Sequence, residues 1–311
     1  PWAIARRLRS LDFDWALILP NSPRSALEAW LAGIPTRIGY GRGLRRWLLT
    51  VSVPPRPDQV LMRKRSVGEV RRLTERAATA PLPRYSPGAH HIYQYLHLTA
   101  ALGANAAPLP PRLWLDKQEI VAAAEKFGLT GLVLGLNAGA EYGPAKRWPA
   151  DRFVAAALAV QQQAPQVRWL ILGGPGDTAL AGAITGKLNR ALENAFPGLA
   201  EGRRPVNVAG RTSLRELLAL LAGCRAVLTN DTGPMHLAAA VGTPVVVPFG
   251  STSPGLTGPG LPGDTSHQLL QGQAACAPCF LRVCPIDFRC MESISVAAVS
   301  AAVLRVMDGS Q

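Results

Sequence analysis

The feature that most constrains the fold is a strand–helix–strand unit in the second half of the chain. Apolar residues 226–229 end at a polar turn, residues 230–236, which leads into an alanine-rich helix and then a second apolar run, residues 244–249. This alternation is typical of a parallel β-α-β unit. Within the turn, Gly233 lets the backbone approach a ligand, and Pro234 suits a first helical turn. The unit therefore predicts an anion-binding turn at the end of a strand.

Apolar runs of strand length recur throughout the second half, and helical or turn segments separate them. The runs are residues 132–136, 167–172, 206–208, 225–229, 243–248 and 267–270. Buried parallel strands read as continuous apolar runs of this kind, joined by right-handed crossovers. The pattern predicts a doubly wound α/β domain over residues 121–295, followed by a C-terminal helix over residues 296–311.

The first half of the chain is less regular. Residues 1–120 mix helix, short strand and basic loop, and the proline-rich stretch 107–111 is typical of the approach to a hinge. The apolar run 15–19 is typical of a buried strand that needs neighbours, and the chain opens with Pro1 rather than Met. We expect a first domain over residues 1–120 that is truncated at its N-terminus.

The net charge and the composition limit which classes of molecule the protein is expected to bind. The 311 residues are 48% hydrophobic, enough for a large core, and 33 Lys and Arg residues give a net charge of +13. Such a field attracts an anionic membrane surface or an acidic glycolipid head group, although a solvated basic surface is the alternative. Few aromatic residues interleave with the charges and no nucleic-acid motif occurs, so we expect no nucleic acid partner. No apolar run reaches bilayer length and no export leader is evident, which predicts a cytoplasmic protein.

Two further loops follow strands and hold small or charged residues. They are residues 137–149, which contain Lys146, and the glycine-rich residues 173–177. Ligands of open α/β sheets bind beyond the carboxyl ends of the strands, so these loops should meet the turn at Asp231. The glycine spacing fits neither a nicotinamide site nor a phosphate loop, which excludes those two classes.

Lys146 and Asp231 are the side chains suited to an anionic sugar ligand. Lys146 would pair with a diphosphate, and Asp231 would accept hydrogen bonds from sugar hydroxyls or from the turn itself. The alternatives are an exposed loop lysine and simple helix capping by Asp231 and Thr232. Ser213 and Glu216 form a capping box at the start of another helix, which leaves Arg211 and Thr212 free to face a ligand.

Four of the five cysteines fall within fifteen residues. They are spaced Cys276-x2-Cys279-x4-Cys284-x5-Cys290. Four thiolates could bind zinc or an iron–sulfur cluster, although the spacing matches neither a zinc ribbon nor the usual ferredoxin run. A disulfide and free packed thiols remain the alternatives.

Residues 138–149 (AGAEYGPAKRWP) and 230–236 (NDTGPMH) closely resemble the bacterial ADP-heptose:lipopolysaccharide heptosyltransferases, glycosyltransferase family nine. Residues 20–27 and 32–40 resemble the heptosyltransferase II branch. The resemblance runs from about residue 13 to the end of the chain. It implies an α/β fold of the GT-B type, in which two Rossmann-like doubly wound domains face across a cleft, the first being incomplete at its N-terminus here.

The resemblance also implies roles for individual residues. Lys146, Asp231 and His236 match the catalytic positions at the diphosphate and heptose. The remaining donor positions match Asp177, Thr212, Thr232, Gly233, Pro234 and Met235. Ser22 and Arg24 fall on the acceptor side. The family's general base is thought to be an aspartate in a Gly-Asp-type loop after the first strand, and we expect that loop to lie upstream of Pro1.

The activity implied is inverting transfer of heptose from ADP-L-glycero-D-manno-heptose to a Kdo or heptose of the lipid A inner core, in lipopolysaccharide core biosynthesis. The transfer needs no cofactor. The acidic acceptor implies peripheral contact with the anionic inner face of the inner membrane. Three alternatives remain: another GT-B nucleotide-sugar enzyme or an epimerase of similar fold; a donor-binding module that lacks catalysis because the base is missing; and a metal-binding interaction protein.

Overall fold

The computed structural model describes residues 1–309, which form two compact units. Unit 1 comprises Pro1–Leu61 and Tyr85–Leu109, and unit 2 comprises Met62–Arg84 and residues 110–309. Residues 62–84 and 110–120, which we expected in the first domain, therefore fold with the second unit. The assignment of acceptor binding to one domain and donor binding to the other stays a prediction.

Helices and strands alternate along the described residues. The strands are β1 (Trp15–Ile18), β2 (Thr36–Tyr40), β3 (Val51–Val53), β4 (Leu132–Asn137), β5 (Val167–Ile171), β6 (Val206–Asn207), β7 (Ala226–Thr229), β8 (Val245–Phe249) and β9 (Gln268–Gln271). The helices are α1 (Trp2–Arg9), α2 (Pro23–Leu31), α3 (Val67–Arg76), α4 (Ile92–Ala100), α5 (Lys117–Lys126), α6 (Ala150–Gln163), α7 (Thr178–Ala195), α8 (Leu214–Gly223), α9 (Gly233–Ala240), α10 (Pro254–Thr257), α11 (Arg289–Glu292) and α12 (Val296–Asp308). The predicted C-terminal helix is thus present as α12, and residues 310–311 of that prediction lie outside the described residues.

Unit 1 is built on a parallel sheet of three short strands in the order β1-β2-β3. Helices α1 and α2 pack on one face, where Ile18 is buried, and Leu98 of α4 packs against Ile38 on the other face. The expectation that residues 15–19 form a wholly buried strand is wrong, because β1 is an edge strand. Trp15 is 62% exposed and Leu17 is 37% exposed.

Unit 2 contains a six-stranded parallel sheet in the order β6-β5-β4-β7-β8-β9. All six strands predicted for the second half are present. The chain winds outward from β4 to β6 and then returns to β7 beside β4, where Asn137 pairs with Thr229. The carboxyl ends of β4 and β7 therefore form the topological switch point, which is the usual ligand site of such sheets.

Helices cover both faces of this sheet. Phe153 of α6 and Val299 of α12 lie in the core on one face, and Leu220 of α8 and Met235 of α9 lie in the core on the other. Every residue of β5, β7 and β8 is buried, which explains why their sequences are mostly apolar. Unit 2 is thus the predicted doubly wound α/β arrangement. None of the helices in residues 1–309 combines the length and apolar content needed to cross a membrane.

Candidate functional site

The three loops that the sequence singled out meet at the carboxyl ends of β4, β5 and β7. The Nδ2 atom of Asn230 donates a hydrogen bond to the carbonyl oxygen of Ala138 at 2.8 Å, and its Oδ1 atom accepts one from the backbone N–H of Trp148 at 3.0 Å. The Asp177 carboxylate lies so close to Gly139 that a Cβ atom there would be 2.5 Å from it. Asn230 is fully buried, so its amide fixes the Lys146 loop (residues 137–149) against the Asp231 turn (residues 230–236).

Lys146 and Asp231 form an ion pair at the centre of this site. The Nζ atom of Lys146 lies 2.7 Å from Oδ2 of Asp231, and the side chains are 15% and 3% exposed. The hydroxyl of Thr252, on the loop after β8, donates a 2.6 Å hydrogen bond to the same carboxylate. Lys146 is therefore not a free loop lysine. A ligand phosphate could take the place of Asp231 as its partner.

The Asp231 turn leads into α9, and its residues divide between ligand-facing and core positions. Thr232 stands at the N-cap of α9 without a side-chain hydrogen bond to the helix, so simple capping does not explain the motif. Gly233 is exposed, and a Cβ atom there would meet no neighbour within 4 Å. Met235 is fully buried in the core, which leaves only its backbone to face a ligand.

His236 lies on the first turn of α9 with an exposed edge. Partial burial of the ring lowers its pKa below the usual value, Asp231 raises it and Lys146 lowers it by smaller amounts. His236 is thus close enough to interact electrostatically with both Asp231 and Lys146. Its neutral form is favoured, and a neutral imidazole can either donate or accept a hydrogen bond.

Asp177 and Thr212 border the site on the side of β5. Asp177 accepts a 3.2 Å hydrogen bond from the backbone N–H of Gly174, and Arg147 lies 3.9 Å from its carboxylate. Asp177 therefore orders its own loop, and a contact with ribose stays a prediction. The predicted capping box of Ser213 and Glu216 is confirmed, and Thr212 immediately before it is half-buried.

The acceptor residues predicted from the resemblance lie in unit 1. Ser22 caps α2, since its Oγ atom accepts a hydrogen bond from the backbone N–H of Ser25 at 3.2 Å. Arg24 is 66% exposed and pairs with Glu28 one turn along the same helix at 2.8 Å. Ser22 thus has a structural role of its own. Arg24 remains accessible, and its contact with an acceptor stays a prediction.

The cysteine-rich segment, residues 276–290, contains free thiols rather than a disulfide. Burial, together with smaller contributions from the neighbouring thiols of Cys279, Cys276 and Cys284, raises the pKa of Cys290 to about 12. Across residues 1–309, no group of three or more His, Cys, Asp or Glu side chains is arranged to hold a metal ion. The arrangement fits packed thiols, and the predicted metal gains no support from it.

The same segment braces the site. The backbone N–H groups of Cys279 and Phe280 donate to the carbonyl oxygen of Ser251, at 3.1 and 2.8 Å. The hydroxyl of Tyr142 donates to the carbonyl oxygen of Phe280 at 2.8 Å, and the N–H of Ala145 donates to that of Arg282 at 3.0 Å. The cysteine-rich segment therefore holds the Lys146 loop and the Thr252 loop together.

Sequence reasoning missed three residues of this site: Thr252, Tyr142 and the bridging role of Asn230. The stretch Gly250-Ser251-Thr252-Ser253 was a usable signal, since it is a polar loop directly after an apolar strand. Tyr142 lies in the recognised motif of residues 138–149, but no nearby residue in the sequence indicated its hydrogen-bond partner, Phe280. The fold and the site together define an α/β protein that has an ion pair and a helix N-terminus at the switch point of its parallel sheet.

The sequence profile of glycosyltransferase family 9 (heptosyltransferase) matches residues 64–288. Lipopolysaccharide heptosyltransferase 2 of Escherichia coli (strain K12) is 31% identical over 258 residues, covering 82% of this chain and 65% of that protein. The chain belongs to glycosyltransferase family 9. It spans about two thirds (65%) of the length of this curated relative.

Solved structures agree on the fold. The E. coli ADP-heptose lipopolysaccharide heptosyltransferase II is similar with a TM-score of 0.70 at 26% identity, covering 98% of this chain and 80% of that one. A family 9 glycosyl transferase of Veillonella parvula DSM 2008 has a TM-score of 0.66 at 20% identity, covering 99% and 78%. The expected α/β fold class with parallel sheets is confirmed. The division into two Rossmann-like domains stays a prediction.

Proposed function

We propose that this chain transfers heptose from ADP-L-glycero-D-manno-heptose to the inner core of lipopolysaccharide, with inversion at the anomeric carbon. The observation that supports this most is the Lys146–Asp231 ion pair at the switch point of a family 9 chain. Among residues 1–309, Asp231 is the only carboxylate that pairs with Lys146, and a diphosphate could replace it as the partner of this partly buried cation.

The proposed reaction is a single displacement. The acceptor hydroxyl oxygen bonds to the anomeric carbon as the bond from that carbon to the diphosphate oxygen breaks. ADP leaves with the electron pair, and the hydroxyl proton passes to a general base. Lys146 and the backbone N–H groups around Gly233 offset the charge that develops on the leaving diphosphate. Asp231 and His236 then hold the heptose hydroxyls, and the transfer needs no cofactor.

Unit 1 supports an acidic acceptor. It contains nine arginines against four acidic residues. Trp2, Trp30 and Trp47 are 71%, 48% and 70% exposed, and such aromatic side chains favour a membrane–water interface. We therefore propose that unit 1 binds the phosphorylated Kdo and heptose core, with Ser22 and Arg24 among its contacts. The enzyme would meet the anionic inner membrane from its cytoplasmic face.

Calorimetry and a transfer assay test this function. The protein should bind ADP-heptose in preference to UDP-sugars and form product on a Kdo–lipid A acceptor. Substituting Lys146→Met or Asp231→Asn should lower turnover at least about tenfold, because each removes a charge at the reacting centre. Lys117→Met removes an exposed charge at the start of α5 and should leave turnover unchanged.

Three results would contradict the proposal. Preference for a UDP-sugar would indicate a different nucleotide-sugar enzyme of the same fold. Unaltered kinetics in both the Lys146 and Asp231 variants would overturn the placement of the site. Tight ADP-heptose binding without any product would reduce the chain to a donor-binding module.

The cysteine-rich segment is tested separately. Zinc or an iron–sulfur cluster at Cys276, Cys279, Cys284 and Cys290 predicts stoichiometric metal in protein purified without oxygen. Metal-free protein that keeps its donor affinity would leave packed thiols as the description of the segment.

A further inference from the structure

Residues Met62–Arg84 form a strap that belongs to unit 2, although the chain on either side of it belongs to unit 1. The backbone N–H of Arg65 donates to the carbonyl oxygen of Cys279 at 3.0 Å, and its Nε atom donates to that of Pro278 at 3.2 Å. Val70, on helix α3 of the strap, is 1% exposed and lies in the main core of unit 2. The strap is therefore fastened to unit 2 beside the candidate site.

The fastening at Arg65 places its neighbour Lys64 next to the ring of Tyr142. The Nζ atom of Lys64 lies 5.8 Å from the ring centroid. The Nζ atom of Lys146 lies 5.0 Å from the same centroid, and the guanidinium carbon of Arg282 lies 5.5 Å from it. Three cations from three separate segments therefore gather around one aromatic side chain.

Tyr142 is held firmly enough to organise this cluster. Its hydroxyl donates to the carbonyl oxygen of Phe280 at 2.8 Å, and its own carbonyl oxygen accepts from Nε of Arg282 at 2.5 Å. The ring face attracts each cation by only about 0.5–1 kcal/mol at such partly exposed positions. The ring thus holds three like charges close together without neutralising any of them.

The charge of this cluster is only partly balanced. Within residues 1–309, Lys146 is paired with Asp231, whereas Lys64 and Arg282 make no ion pair with a carboxylate. Both of these side chains are exposed, and both lie at the same ring as Lys146. A group of three cations attracts an anion that has more than one negative charge.

We propose that Lys64 and Arg282 join Lys146 in binding the diphosphate of the nucleotide donor. In this proposal the strap positions Lys64 at that site. This assignment rests on the proposed function. Lys64 is the contribution of the strap, and Arg282 is that of the cysteine-rich segment. The segment that braces the Lys146 loop would thus also supply a ligand contact.

Calorimetric titration of the full chain with ADP, AMP and adenosine tests the assignment. Lys64→Met keeps the length of the side chain and removes the charge. We expect it to weaken ADP binding about tenfold, weaken AMP less and leave adenosine unchanged, since one charge-assisted contact is lost. Arg282→Met should act in the same way, and Lys64→Arg should restore most of the affinity. Lys117→Met is the matched control and should bind all three ligands like the unaltered chain.

The outcomes separate this assignment from the function on which it rests. If the unaltered chain binds neither ADP nor ADP-heptose, the proposed function itself fails. If it binds ADP and Lys64→Met binds ADP equally well, the role of Lys64 is overturned while the function stands. A Lys64 variant that alters only the KM for the lipid acceptor would also overturn the diphosphate assignment. Circular dichroism of each variant confirms that the fold is retained.

Discussion

Each unit holds a cation at the carboxyl ends of its strands, but the two units balance the positive charge differently. In unit 1, Arg45 is 2% exposed and donates to the carbonyl oxygens of Ile18 at 3.2 Å, of Pro20 at 3.0 Å and of Tyr40. It pairs with no carboxylate in residues 1–309, and burial lowers its pKa. In unit 2, Lys146 is balanced by the Asp231 carboxylate instead.

The difference separates a structural cation from a functional one. The carbonyl groups around Arg45 belong to the last residues of β1 and β2 and to Pro20 just after β1, so they cannot move away without disordering those strand ends. Arg45 is therefore a fixed brace, and Gly39 leaves room for it, since a Cβ atom there would lie 2.8 Å from its Nη2 atom. Lys146 has a side-chain partner and partial exposure, so a ligand can compete for it.

The largest expected effect comes from removing the brace. Arg45→Met leaves three carbonyl groups without their donor, and each orphaned group costs about 1–3 kcal/mol. We expect the free energy of unfolding to fall by at least about 3 kcal/mol in denaturant titrations followed by circular dichroism. Arg46→Met, at the exposed neighbouring position, should change it by less than about 0.5 kcal/mol. Equal losses of unfolding free energy in Arg45→Met and Arg46→Met would show that Arg45 is no more important for stability than an exposed arginine.

The ion pair of unit 2 should respond in a way that a brace cannot. Lys146→Met or Asp231→Leu alone leaves the other charge of the pair without a partner. Breaking a fully buried pair costs about 3–5 kcal/mol. We expect a smaller loss of unfolding free energy here, because Lys146 is partly exposed. The double variant should be more stable than either single variant. A double-mutant cycle on unfolding free energies measures this. Strictly additive losses would show that the two charges do not stabilise each other.

Thr252 is a second partner of Asp231, and its hydrogen bond would remain if Lys146 paired with a ligand phosphate instead. Thr252→Val keeps the shape and removes the 2.6 Å hydrogen bond, which contributes about 1.5 kcal/mol to an ionised acceptor. We expect weaker ADP-heptose binding and a shifted pH profile of turnover, and Thr252→Ser should restore both. A Thr252→Val enzyme whose stability alone changes would make the residue merely structural.

The smallest expected effect is a pH dependence at His267, which is buried away from the candidate site. Burial lowers its pKa, and its Nδ1 atom accepts a hydrogen bond from the backbone N–H of Val245 at 3.3 Å. The unfolded state therefore binds a proton more readily, and stability contributed by the neutral ring is lost as pH falls below about 6.5. Denaturation midpoints between pH 8 and 5 should show this decline. His267→Gln should flatten it, and an unchanged slope would contradict the assignment.

Much of unit 2 could be predicted from the sequence, because its signals are local. The six strands are mostly apolar runs, and the capping box joins Ser213 to a residue three positions later. Lys146 and Asp231 stood out because each follows a strand end, where parallel sheets bind ligands. The partial exposure of β1 could not be read in this way, since it depends on which face its neighbours cover.

What the sequence determined by itself was the order of strands and helices in unit 2, the family resemblance and the two charged residues of the site. Only the tertiary structure shows which groups contact Lys146 and Asp231. Thr252 reaches Asp231 across 21 residues, and Asn230 reaches Ala138 across 92. The strap and the gathering of Lys64 at Tyr142 likewise have no local signature. The physical reason is that periodicity and capping act between near neighbours, whereas these contacts exist only once packed strands have brought distant loops to the same edge of the sheet.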